Sequence, residues 1–446
     1  MSSSRSASVS SSSGESTSSK TAQEETIASD LVVTKYKMAS EITQRILREV
    51  IDRCVPGASV KDTCIYGDKR LDEETSRVFK KDKDVKKGIA FPTCLSVNNY
   101  ICHFSPLISD PDIILKDDDV VKIDLGCHID GYIAVVAHTI VVGATREKKV
   151  TGRRADCILA AYYAAEAALR LIKPGENNMA VTEITDRIAN AYHCKPVEGM
   201  MSYQMTRGII DGEKKIYQNP TEMQRRDIEK QEFALHEVYA VDVLISSGEG
   251  KPRETDVRTT VYKKKDFIYQ LRMKSSRVFL SEVEKRFSLM PFTLRHFEDE
   301  KRARMGVIEC AKHDLVEPYP VYQEKDGEFV AEFKFTLLLM PSGQMKITGL
   351  PIDLDLYESA YKILDSDIKQ LLTSSAQKKK KNKKKKKANS NQQGNQGAGA
   401  ISTETMEAVE DDGDEDFEDE PDEVIQKKST ASTSKKAKSK KTNNNA

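Results

Sequence analysis

The chain has 446 residues, 38% of them hydrophobic, and its 70 Lys and Arg balance 70 Asp and Glu at zero net charge. That length allows one large domain or two ordinary ones, and no apolar run reaches the roughly 20 residues of a membrane-spanning helix. The eight cysteines contain no CxxC pair, which speaks against a disulfide or zinc-ribbon scaffold and for reduced thiols in the cytosol or nucleus.

Residues 1–28 are Ser-rich, lack the apolar stretch of a secretory signal and are expected to be a disordered tail. The segment SEITQRILREVIDR (40–53) puts Ile42, Ile46, Leu47, Val50 and Ile51 on one helical face, and VPG follows at 55–57. VVKIDLGCHIDGYIAVVAHTIVVG (120–143) predicts a β-hairpin turning at Asp130-Gly131, the dipeptide a type I′ turn favours. A two-residue loop then sets 124 opposite 137 and 126 opposite 135. An Ala-rich helix follows at 156–172, with KPG at 173–175, and a second apolar strand lies in EVYAVDVLISSG (237–248). Pro56 and Pro174 are 118 residues apart, and so are Asp124 and Asp242. Helix, Pro-Gly turn and acidic strand recur in order at one spacing. This predicts an internal duplication with pseudo-twofold symmetry that brings the two aspartates together.

SSGEGKPRE (246–254) lacks the Lys-Ser ending of a phosphate loop and reads as a turn. Residues 263–318 are charged and mostly helical in pattern, an insertion into the second half; its Arg272, Lys274, Arg277, Lys285 and Arg286 form either a solvated face or a weaker RNA-contact candidate. A further hairpin is expected to turn at Asp326-Gly327, with Phe329, Ala331, Phe333 and Phe335 on one face and Val330, Glu332, Lys334 and Thr336 on the other. IKQLL (368–372) reads as a C-terminal helix packed on the core. Residues 376–446 lose globular character and are expected to be a second disordered tail. Nine lysines (Lys378, Lys379, Lys380, Lys381, Lys383, Lys384, Lys385, Lys386 and Lys387) fill ten positions, and eleven acidic residues fill the fourteen of 410–423. The lysine run reads as a nuclear or nucleolar address and a phosphate-binding segment.

A carboxylate within an apolar strand is costly unless paired. Two aspartates on facing strands suggest a divalent-metal site built from oxygen ligands. The position where a second hairpin ligand would share the ion, diagonal to Asp124, is Val135. The polar inward position of the later strand is Lys334, whose ammonium offers no lone pair to a metal. Lys334 is therefore expected to pair with Asp124, Asp242 or both.

GIAFPTCLSVNNYICHFSP (88–106), VKIDLGCHIDG (121–131) and EVYAVDVLISSGEG (237–250) resemble the signature segments of type 2 methionine aminopeptidases, of the M24 peptidase class and pita-bread fold. The insertion at 263–318 sits where type 2 enzymes carry theirs. The chain is more closely similar to the proliferation-associated, ErbB receptor-binding family of aminopeptidase homologues over roughly residues 25–375. The resemblance implies an α/β pita-bread domain over 29–375 with a helical insertion. In the active enzymes the metal ligands are two aspartates of the first hairpin, a histidine and two glutamates. Onto these positions fall Asp124, Val135, no histidine within EGMMSYQM (198–205), Asp242 and Lys334. His103 matches a substrate-contacting histidine. The expectation is a non-enzyme without metal or cofactor, monomeric, in cytoplasm, nucleus and nucleolus. Its partners would be RNA, ribosomes or pre-ribosomal particles and regulatory proteins, in ribosome assembly, growth control and transcriptional co-regulation. Two other readings are an active metal-dependent aminopeptidase with an unusual site, and a nuclear chaperone working through the acidic run.

Overall fold

The computed structural model describes residues 26–375. Two helix pairs begin its two halves: α1 (Asp30–Arg53) with α2 (Val60–Arg77), and α3 (Gly152–Leu171) with α4 (Asn178–Ala191). The turns joining them are copies at the predicted spacing. Gly57 and Gly175 take left-handed φ values of 88° and 89°. Ser59 caps α2 by accepting from the Asp62 amide, and Asn177 caps α4 by accepting from Met179 and Ala180. The amide of Gly57 donates to Leu115 O at 2.8 Å, and that of Gly175 to Phe233 O at 3.1 Å; Val60 donates to Ile113 O, and Asn178 to Gln231 O. Every pair is related by 118 residues, so the duplication extends to individual hydrogen bonds.

The strands used below are β1 (Lys87–Val97), β2 (Tyr100–Cys102), β3 (Val120–Ile129), β4 (Tyr132–Val141), β5 (Met201–Met205), β6 (Lys215–Tyr217), β7 (Val238–Ser246), β8 (Val261–Lys264), β9 (Phe292–Thr293), β10 (Val316–Tyr319), β11 (Val330–Met340) and β12 (Gly343–Lys346). The main sheet runs β1-β3-β4-β11-β7-β5-β6, with β12 beside β11. On one face, α1 buries Ile42, Ile46, Leu47 and Val50 against Val121, Ile123 and Leu125 of β3. The alanines of α3 let it lie close against Val241 and Val243 of β7 and Phe333 and Phe335 of β11. Each large side chain buried this way contributes about 1.5–3 kcal/mol. The other face carries the polar side chains.

The first hairpin has the predicted register: Asp124 pairs with Ala137 and Gly126 with Val135. Asp130 and Gly131 both have positive φ, 55° and 80°, as a type I′ turn demands. The second expected hairpin is different. The chain does turn, with the Glu328 amide bonded to Lys325 O. However, Tyr322–Gln323 pairs with β2 and Arg253–Glu254 in a small separate sheet, while β11 enters the main sheet between β4 and β7 and makes its own hairpin with β12. Its alternation is as read, Phe333 and Phe335 toward α3 and Glu332 and Lys334 away from it.

Residues 263–318 form two helices, α5 (Lys274–Arg286) and α6 (Glu300–Lys312), on a three-stranded sheet β9-β8-β10. Phe279, Val283, Phe292, Phe297 and Val307 give this insertion a core of its own. Its short strands escape a reading of helical period. Helix α7 (Ser366–Thr373) buries Ile368 against the core. Ile27, assigned above to the Ser-rich tail, is buried beside Val32 and Tyr36, so packing begins slightly earlier. The rest of that tail, the lysine run and the acidic run lie outside the described residues. Among the described residues no helix is long and apolar enough to cross a membrane.

Candidate functional site: a lysine among three carboxylates

The antiparallel register sets one row of residues across five strands: Cys94, Asp124, Ala137, Lys334 and Asp242. With strands about 4.8 Å apart, Asp124 and Asp242 would stand roughly 14 Å apart at their backbones. Ala137 between them leaves room, and the long Lys334 side chain fills it. Its Nζ lies 2.6 Å from Asp124 Oδ2, 3.1 Å from Asp242 Oδ2 and 3.2 Å from Glu332 Oε1. The Phe91 ring stands 5.2 Å from the same ammonium.

One cation thus serves three buried carboxyls. Burial pushes Asp124 up to about 7 and Asp242 to about 6; Lys334 restrains both, and the neighbouring acid adds to each. Glu332 rises to about 7 for the same reasons. Burial alone would lower Lys334, but the three carboxylates outweigh it and hold the ammonium well above its ordinary range. The second carboxylate oxygens, Oδ1 of Asp124 and Oδ1 of Asp242, are buried without a hydrogen-bond partner.

The donor set does not fit a two-metal centre. An ammonium stands at the focus of the carboxylates and repels a cation there. Val135 presents methyl groups where a bridging carboxylate is needed, and its Cγ1 packs so near Gly126 that a Cβ there would sit 2.7 Å away. Gly199, Met200 and Met201 line the cleft without an imidazole. Among the described residues, no group of three or more His, Cys, Asp or Glu is disposed to hold a metal ion.

The cleft beside this row measures about 310 Å³, and its walls include Phe91, Met200, Tyr203 and Tyr319. His103 also lines it, in a left-handed conformation (φ 66°), its Nδ1 bonded to Pro320 O at 3.1 Å and its ring against Tyr319. Burial lowers His103 to about 4, so the ring is neutral at physiological pH. The role of Glu332 was missed by sequence reasoning, although the two-residue period placed it on the face of Lys334. Buried Lys122 was also missed: its ammonium donates to Asn98 O at 2.7 Å, and burial lowers it to about 7.

The basic candidates of the insertion are all exposed but not equivalent. Arg277 bonds the carbonyls of Leu271 and Arg272, and Arg286 bonds Glu282 and His296 O while covering the Phe287 ring. These two hold local structure. Arg272, Lys274 and Lys285 keep their charges toward solvent.

A duplicated helix-pair-and-sheet scaffold with its site on the open face defines the aminopeptidase class of pita-bread proteins. The pattern of metallopeptidase family M24 matches residues 34–228. ErbB-3 binding protein 1 of Solanum tuberosum is 48% identical over 326 residues, covering 72% of this chain and 82% of that protein. Proliferation-associated protein A of Dictyostelium discoideum is 44% identical over 351 residues, 78% of this chain and 90% of that one. The solved structure of a thermophilic Arx1 superposes with a TM-score of 0.74 at 33% identity, over 78% of this chain and all of that one. The chain belongs to the proliferation-associated, ErbB-3-binding family of M24 peptidase homologues.

Proposed function

We propose that the chain is a non-catalytic aminopeptidase-like scaffold. It binds RNA, ribosomes or pre-ribosomal particles and regulatory proteins, and acts in ribosome assembly, translation, growth control and transcriptional co-regulation. The observation that carries the loss of catalysis is Lys334 Nζ at 2.6 Å from Asp124 and 3.1 Å from Asp242. Peptide hydrolysis in this class requires a metal-bound water made nucleophilic at neutral pH. An ammonium bonded to the same carboxylates offers neither Lewis acidity nor a place for that water. His103 then has no reaction to assist.

The binding half of the proposal rests on other ground. The names of the potato and Dictyostelium relatives speak of ErbB-3 binding and proliferation, and the family resemblance points to ribosome assembly. Nine lysines in residues 378–387 supply a strong, sequence-tolerant attraction for phosphate backbones. In this reading the domain 29–375 gives shape selectivity, the tail 376–446 gives charge, and the protein is a monomer of cytoplasm, nucleus and nucleolus. The test is capture of tagged full-length protein from a cell extract with and without ribonuclease, beside an assay for release of N-terminal methionine. The proposal expects ribosomal particles lost on nuclease treatment and no methionine release. Absence of co-purified RNA would contradict the binding half, and methionine release the other.

A further inference from the structure

Seven of the seventeen large apolar side chains left exposed among the described residues lie in the insertion, which holds only 56 of those 350 residues. Four of them, Ile268, Met273, Met305 and Ile308, fall where the loop before α5 packs on α6. The loop leading into α5 is tied to α6: the amides of Arg272 and Met273 donate to the two carboxylate oxygens of Glu309, at 2.9 and 3.1 Å. Two residues before Leu271, the Tyr269 ring stacks on His313 with 4.0 Å between centroids. Met305, Glu309 and His313 follow one another at i, i+4 and i+8 along α6, so Met305 continues the line of contact with that loop. Ile308 is its neighbour at i+3. Lys301 and Lys312 bracket this pair, each four residues from its nearer member. Ile268 is 95% exposed, Ile308 65%, Met305 53% and Met273 43%. Arg272, Lys274, Lys301 and Lys312 frame them, all exposed. Of the acids nearby, Glu309 is held by the two amides and Asp314 by Lys265, while Asp266 stands exposed beside Ile268 as one negative charge against four positive ones.

We infer that this face docks an amphipathic helical segment of a partner protein, one whose apolar residues at i, i+3, i+4 and i+7 are flanked by Asp and Glu. Ile268, Met273, Met305 and Ile308 are aliphatic, and such side chains pack on the apolar stripe of a helix. Two of the four are methionines, which adapt their shape to a partner. Nucleic-acid bases stack instead on flat rings, and one face of Tyr269 is already taken by His313. The lysines and arginines around the rim select a partner with negative flanks. This docking does not depend on the state of the peptidase cleft, which is built from other residues.

The test uses the full chain and fluorescein-labelled peptides of about 18 residues: an acidic amphipathic helix, and a scrambled peptide of the same composition. A single-stranded RNA of similar charge is the third probe. The amphipathic peptide is expected to bind at least roughly tenfold tighter than the scrambled one at about 0.15 M salt. Met305→Asp with Ile308→Asp should abolish that preference without altering RNA affinity. The melting temperature checks the fold, and the single exposed change Ile308→Gln repeats the measurement if the double variant melts early. Lys301→Glu with Lys312→Glu should weaken the amphipathic peptide and flatten its salt dependence. Equal binding of both peptides, unchanged peptide affinity in the apolar variants, or loss of RNA rather than peptide binding would each overturn the inference.

Discussion

Lys334 decides the chemistry of the cleft, and its energetics follow from how many charges it balances. Breaking a buried ion pair by removing one partner costs about 3–5 kcal/mol. Lys334→Met strands three carboxyls, Asp124, Asp242 and Glu332, each already raised by burial. They bind protons more tightly in the folded than in the unfolded chain, where aspartate and glutamate titrate near 4. Their contribution to stability therefore falls as pH rises from about 4 to about 7. Lys334 carries the same sign in a higher window: its contribution is complete below about 10.5 and is lost only as pH climbs through the raised value it has in the folded chain. Lys334→Met should accordingly destabilise by about 3–5 kcal/mol at pH 8 and clearly less at pH 5, where the carboxyls are protonated. Urea unfolding at the two pH values measures this; a negligible loss at both would show the lysine to be exposed and unpaired, and an equal large loss would show that its cost does not come from the carboxylates. A second change works in the other direction. Val135→Asp combined with Lys334→Glu restores two carboxylates to the ligand positions, and is expected to give the protein manganese or cobalt affinity detectable by calorimetry. Lys334→Glu alone should bind metal weakly, because Val135 still lacks a donor atom.

At the scale of elements, the repeated turn makes a paired prediction. Gly57 and Gly175 share the left-handed conformation, and at neither would a Cβ meet an atom within 4 Å. Gly57→Ala and Gly175→Ala should each cost about 1 kcal/mol, from backbone strain alone. Thermal unfolding of the two variants would expose a difference, and a large one would mean that the duplicated turns carry different loads. These turns were legible in the sequence because Pro-Gly follows an amphipathic helix twice at one spacing. The hairpin of β3 and β4 was legible for a similar reason: Asp130-Gly131 fixes the turn, and the turn fixes every facing pair. The Asp326-Gly327 turn misled because the same dipeptide also serves a change of sheet. A turn fixes register only when both arms remain neighbours, and here β4 and β7 claim both edges of β11. In the insertion, charge drew attention to Arg277 and Arg286, which are held by carbonyls and a carboxylate within the subdomain. Exposed charge and committed charge look alike in a sequence. The gathering of Ile268, Met273, Met305 and Ile308 on one face was equally hidden, since it needs the packing of a loop on α6.

For the molecule as a whole, the proposed function divides RNA binding between a folded scaffold that selects and a lysine-dense segment that attracts. If five or six of the nine lysines in 378–387 engage phosphates together, that segment contributes a slope of about −4 to log affinity against log salt for single-stranded RNA. Deleting 378–387 should flatten the slope by that amount and leave the order of RNA preferences intact. Deleting the acidic run 410–423 should tighten binding, because those carboxylates compete for the same lysines. Equal slopes for the full chain and the lysine deletion would reduce the run to an address. The site row was legible at Asp124, Asp242 and Lys334 because three strands could be registered from alternation and the 118-residue offset. Glu332 was overlooked because a carboxylate beside a lysine in a strand passes for an exposed pair until burial is known. The claim joining these scales is that an ammonium has replaced the metals of an aminopeptidase. The most direct test is the metal content of the full-length protein after incubation with cobalt or manganese and dialysis. The account predicts far less than one equivalent per chain, with no change in melting temperature. About two equivalents, held with a raised melting temperature and accompanied by release of N-terminal methionine from peptides, would contradict it.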